Sequence, residues 1–132
     1  MIVEDFILRI IRQAVQLIAK ALGLSEEGYF LESEAVLNDG LFDLTGLSMD
    51  SLLRMSVESI GMLFDDNPGK IIVSALFLKG YGDTRKEKGD FEGYVRSLDK
   101  SLELFLRVQP LGLEEVDQEI GRVKEELASL EA

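Results

Sequence analysis

The sequence predicts an all-α domain of about six helices joined in antiparallel hairpins. Three observations predict it. Apolar residues recur at i, i+3, i+4 and i+7 along most of the chain, and no run keeps the alternation of a half-buried strand. Helix punctuation separates these runs, with Ser, Asn or Asp before a run and Gly or Pro after it. Apolar residues make up 46% of the 132 residues, a length that suits one domain with its own core.

The first helix is expected over 3–22, with Val3, Phe6, Ile7, Ile10, Ala14, Leu17, Ile18 and Ala21 on its stripe and Gly23 as its stop. Ile2, Ile11, Val15 and Leu22 widen that stripe. It reads as a core helix, with self-association or a membrane surface as alternatives. Glu4 and Asp5 dilute the basic face that a membrane-surface helix needs. They also stand where a signal peptide has its basic region, and Arg9, Arg12 and Lys20 interrupt any spanning segment.

Ser25 is expected to cap a second helix over 26–44, which carries Phe30, Leu37, Leu41 and Leu44 and ends at Thr45-Gly46. Ser48 caps the next run, with Met49, Leu52, Leu53, Ile60, Leu63 and Phe64 as its stripe. Ser56 opens a second turn within that run, so one helix or two short ones satisfy the pattern. Asn67 and Pro68 then fit the cap and first position of a helix that carries "IIVSALFL" towards Lys88.

The segment "KGDF" from Lys88 to Phe91 is a two-sided boundary. Gly89 ends one helix in a left-handed conformation, Asp90 caps the next, and Phe91 is expected as a buried anchor. Phe91, Tyr94, Val95, Leu98, Leu102 and Phe105 mark the helix over 90–107, and Pro110 ends it. Two helices joined so tightly run antiparallel and pack together. Leu113, Val116, Ile120, Val123, Leu127 and Leu130 then form a narrow seam. A closing helix in a groove of the bundle satisfies this seam, and so does a dimer contact.

Composition excludes several chemistries. The chain has no Cys and no His, which removes disulfides, the usual zinc sites and the Cys–His and Ser–His–Asp nucleophiles. The net charge of −11 disfavours a nucleic-acid partner. With no export signal and no Cys, the cytoplasm is the expected compartment. Asp39 with Asp43, and Asp65 with Asp66, are the carboxylate pairs that a Mg²⁺-dependent helical hydrolase would draw on. No E-x-x-E run with a matching E-x-x-D accompanies them, so a solvated acidic face is expected, with no metal, no cofactor and no catalytic residue. The glycines of "KGYGDTRKEKG" do not form a phosphate loop, because the spacing is wrong and no strand precedes them. Gly80 and Gly82 are expected instead where helices approach closely.

The hairpin "KGYGDTRKEKGDFEGYVRSLDKSLELFL" resembles a tetratricopeptide repeat. Gly82 stands at the small position of the first helix, "KGDF" matches the turn, and Tyr94, Leu98 and Ser101 take the packing positions of the second. Tyr94 and Ser101 depart from the usual Ala, and Pro110 comes late. The match spans about one repeat. The opening "EDFILRIIRQAVQLIAKALGL" is similar, through Asp5, Phe6, Ile7, Arg9 and Ile10, to that of an uncharacterised bacterial family of small acidic helical proteins. The two resemblances imply helical hairpins used for protein contacts, in a right-handed stack or an irregular bundle.

Against the acidic background, residues 68–88 form a basic island around Lys79, Arg85, Lys86 and Lys88. Basic side chains near a helix C-terminus also favour its dipole, which accounts for all but Lys79. The repeat resemblance implies that Lys79, Asp83 and Lys86 line the exposed helix face that meets a partner protein or peptide. The expected function is therefore non-enzymatic protein binding, with a homodimer possible. Reversing Lys79 and Lys86 to Glu is expected to abolish binding of an acidic partner.

Overall fold

The computed structural model describes residues 2–130, with side chains from Asp5 onward. Ile2 and Val3 of the expected first helix lie outside the described side chains. Among the described residues there are seven α-helices and no strand: α1 (Ile2–Glu26), α2 (Phe30–Thr45), α3 (Met49–Arg54), α4 (Val57–Leu63), α5 (Pro68–Glu87), α6 (Phe91–Val108) and α7 (Glu114–Leu130). A single 3-10 turn, Gln109–Leu111, joins the last two.

The centre of the molecule is α5. Its residues from Ile71 to Leu78 are all buried, as expected of a helix apolar on every side. Contacts from α1, α2 and α6 surround it, and α7 packs on α6. Ile10 of α1 lies beside Gly69 at the start of α5, and Ile18 beside Gly80 further along, so α1 and α5 run in the same direction.

Two glycines set the long hairpins. Gly28 and Gly89 have φ of 88° and 90°, which an L side chain rarely adopts. Each closes a helix by a Schellman pair. Tyr29 N donates to Leu24 O and Gly28 N to Ser25 O at the end of α1; Asp90 N donates to Arg85 O and Gly89 N to Lys86 O at the end of α5. Asp90 then caps α6 by accepting from Gly93 N at 3.0 Å.

The first boundary therefore differs from the expectation. α1 continues through Gly23 to Glu26, and Ser25 is a buried residue of α1, not the cap of α2. The buried positions Ala14, Ala21 and Ser25 keep the helical register of the α1 stripe past Gly23, and Gly28 supplies the left-handed stop. α2 starts at Phe30 without a side-chain cap.

The run after Ser48 is two helices. Ser48 accepts from Ser51 N and Ser56 from Ser59 N, at 3.0 and 3.1 Å. Met55 between them has extended ψ, so neither helix absorbs the other. Phe6 and Phe91 are also corrected: they are 47% and 53% exposed. Phe91 opens α6 just past the end of α5, and its ring meets that of Tyr94 at 5.9 Å between centroids.

The α5–α6 contact is the most extensive in the molecule. A Cβ on Gly82 would lie 3.1 Å from Ser97 Cβ and 3.3 Å from the Tyr94 carbonyl oxygen, so the two backbones meet where Gly82 has no side chain. Ser101 donates to Ala75 O at 2.7 Å, which satisfies a buried hydroxyl across the same interface.

Candidate functional site: a groove floored by the central helix

The expected partner residues Lys79, Asp83 and Lys86 share one face of α5, and the structure places them along the floor of a groove. Three cavities of about 170, 190 and 180 Å³ follow one another along it. Neighbouring cavities share residues: Val15, Leu76 and Glu119 belong to the first and second, Leu22 and Asp83 to the second and third. The floor runs from Ile72 to Glu87 of α5, which is about 22 Å of helix at 1.5 Å per residue.

One wall is α1, through Ile11, Val15, Ile18, Leu22 and Glu26, spaced at one helical turn each. The other is α7, which lines the first cavity through Glu115, Val116, Gln118, Glu119 and Arg122 and the second through Glu119, while the third is lined by α1 and α5. The lining is mostly apolar along α1 and mostly charged along α7. Val15 is 48% exposed, and Ala19 is exposed beside it.

The three floor residues are not equally free. Lys79 has only 19% of its side chain exposed and lies 3.7 Å from Asp83 and 3.4 Å from Glu126 of α7. Its charge is therefore paired within the molecule, and on the face expected to be exposed it is the most covered of the three. Burial raises the Asp83 carboxyl above the usual range, with Lys79 opposing and Glu126 reinforcing that shift. Lys86 is exposed and stands over the Tyr94 ring at 5.2 Å.

The rest of the basic island serves the fold as well. Arg85 pairs with Glu34 of α2 and Asp90, and stacks on Tyr81 at 4.9 Å; Lys88 reaches Glu34 at 3.7 Å. Lys79 and Arg85 thus tie α7 and α2 to the central helix on different faces.

The opposite side of α5 holds a separate cleft of about 190 Å³, with Tyr81, Arg85, Arg96 and Lys100 in its lining. Sequence reasoning missed it. Its cations are occupied: Lys100 donates to the Leu52 and Leu53 carbonyls at 2.6 and 3.0 Å, and Arg96 pairs with Glu92. Lys100 tethers the end of α3 there, and burial lowers its ammonium pKa, with Glu103 opposing.

Asp39, Asp43, Asp65 and Asp66 are all exposed, and among the described residues no three acidic side chains are grouped as metal ligands. Among the same residues no helix is long and apolar enough to cross a membrane. Comparison of the chain with known protein families, curated proteins and solved structures finds no match.

Proposed function

We propose that this chain is a non-enzymatic protein-interaction domain that receives a segment of a partner protein in the groove between α1 and α7. The observation that carries the reading is the groove itself: a row of adjoining cavities along the central helix, mostly apolar where α1 lines them and mostly charged where α7 does. Sites that accept helical segments combine these features, because the apolar wall gives affinity and the charged wall gives register. The resemblance of the α5–α6 hairpin to a tetratricopeptide repeat favours the same class of activity. Lys79, Asp83 and Lys86 contribute from the floor, Lys86 by direct contact and the other two as a neutral pair that shapes the middle of the channel.

The test is differential capture. Tagged wild type and the Ala19→Trp variant, whose indole would fill the channel, are exposed to lysate of the source cells. Circular dichroism first establishes equal folding. A protein recovered by wild type and lost with Ala19→Trp is expected. Equal recovery by both would place any partner elsewhere on the molecule and reject the groove as its site.

A further inference from the structure

The distribution of charge in the groove says more about its occupant. Along the middle the charged lining is paired internally: Lys79 with Asp83 and Glu126, Arg122 with Glu119 at 2.6 Å. At the two ends carboxylates stand without ion pairs, joined at one of them by Lys86, which lies over the Tyr94 ring. Glu115 stands at the end near Ile72, and Glu26 and Glu87 stand at the end near Lys86. Among the described residues none of these three carboxylates has a cationic partner within ion-pair distance, although all three line the channel. Between them lie Val15, Ile18, Ala19, Leu22 and Leu76, which offer an apolar strip.

We propose that the groove takes a helical segment of another protein, about four turns long, apolar along one face and carrying Lys or Arg at both ends; the proposal rests on the groove being the partner site. The length follows from the floor, since about 22 Å accommodates close to fifteen helical residues. The helical form follows from the backbone around the channel. All three bounding elements are helices whose main-chain groups are bonded internally, so an extended segment finds no ladder to join. A helix brings its own hydrogen bonds and needs only side-chain contacts. The spacing of Val15, Ile18 and Leu22 matches apolar residues at i, i+3 or i+4, and i+7 on the incoming face.

The charge follows from complementarity. A cation at each end meets Glu115 on one side and Glu26 with Glu87 on the other, where the two carboxylates outnumber the single ammonium of Lys86, while an acidic segment meets net repulsion at both ends. A second copy of this chain does not fit these requirements. Its most basic helix, α5, is the buried centre of its own fold, surrounded by α1, α2 and α6. The incoming helix is therefore assigned to a different protein.

The experiment is a selection from random peptides of about 18 residues, displayed on phage, against the full chain, followed by binding measurements on the enriched sequences. Fluorescence anisotropy compares wild type, Ala19→Trp, and the triple variant Glu26→Gln, Glu87→Gln, Glu115→Gln, whose positions lie outside the core. The expected result is enrichment of amphipathic sequences with Lys or Arg at both ends. The triple variant should weaken their binding about tenfold, the sum of three modest charge contacts, and high salt should reproduce part of that loss. Ala19→Trp should abolish binding. The proposal is overturned by enrichment of acidic or proline-rich sequences, by no enrichment, or by binding indifferent to the triple variant. It is also overturned if wild type sediments as a dimer that Ala19→Trp dissociates. Groove-dependent capture from lysate alongside acidic enriched peptides would sink the charge assignment and leave the interaction site standing.

Discussion

Tyr94 of α6 donates its hydroxyl hydrogen to Glu126 of α7 across 2.8 Å. The same carboxylate lies 3.4 Å from the Lys79 ammonium, so one acidic side chain joins α7 to both α5 and α6. Burial and the Glu126 hydrogen bond both hold the Tyr94 phenol well above its ordinary range, so it remains a donor under all physiological conditions. Removing the hydroxyl should release the C-terminal half of α7 first. Tyr94→Phe is expected to cost about 1 kcal/mol, the usual net worth of such a bond, and to lower Tm by about 4 °C. Amide exchange should rise over the last two turns of α7 and stay level in α5. An unchanged melting curve with unchanged exchange would show that the bond contributes nothing.

Ser25 gives a test of opposite sign. It is 2% exposed and its hydroxyl has no hydrogen-bond partner. A buried hydroxyl without a partner destabilises, and truncating it removes the penalty. Ser25→Ala is therefore expected to leave stability equal or raise it by up to about 1 kcal/mol. A capping serine behaves differently, since its replacement by Ala costs about 1 kcal/mol. Thermal melts of the variant thus discriminate the helix interior from the cap, and a lowered Tm would count against the continuous α1.

Ser25 also marks where the sequence stops being informative about the fold. Two signals compete in "GLSEEG": a serine before acidic residues, and a helical register that extends from Ala21 to Ser25. The register prevails because Ser25 is small enough to be buried there and Gly28 can turn the chain. The hairpin at Gly89-Asp90 was legible because stop and cap stand side by side with no rival. The candidate site was legible only in part. Lys79, Asp83 and Lys86 share a face by spacing alone. What lies across that face depends on α1 and α7, which are distant in sequence, and no local pattern announces that Glu126 reaches Lys79.

The same substitution should act in opposite directions at two helical glycines. Gly121 lies inside α7, and a Cβ added there would meet no atom within 4 Å, so Gly121→Ala gains helix propensity of about 1 kcal/mol and loses no contact. Gly82 lies where α5 meets α6, and its Cβ would press on Ser97 Cβ at 3.1 Å and on backbone at 3.3 Å. Overpacking of this kind costs about 1–3 kcal/mol, which exceeds the propensity gain. Denaturant titration of both variants should therefore move the midpoint up for Gly121→Ala and down for Gly82→Ala. Midpoints moving together would show that the close approach at Gly82 relaxes freely.

Asp83 links the floor of the groove to pH. Burial raises its carboxyl pKa in the folded chain, against the opposing pull of Lys79. Between the ordinary carboxylate value and the raised one, the folded state binds more protons than the unfolded state, so this group's contribution to stability falls as pH rises through that window. Asn at the same position has no proton to lose. The difference in Tm between Asp83→Asn and wild type should therefore move in favour of the variant from about pH 3 to about pH 7, because only wild type must ionise a desolvated carboxyl. Lys79 keeps Glu126 as a partner in the variant, which limits the loss of its charge pairing. Melts across that range read the difference directly, with every other titrating group common to both proteins. A difference that shifts towards wild type on raising the pH would mean that the Lys79 ion pair outweighs burial, and the Asp83 carboxylate would then be a stabilising part of the floor.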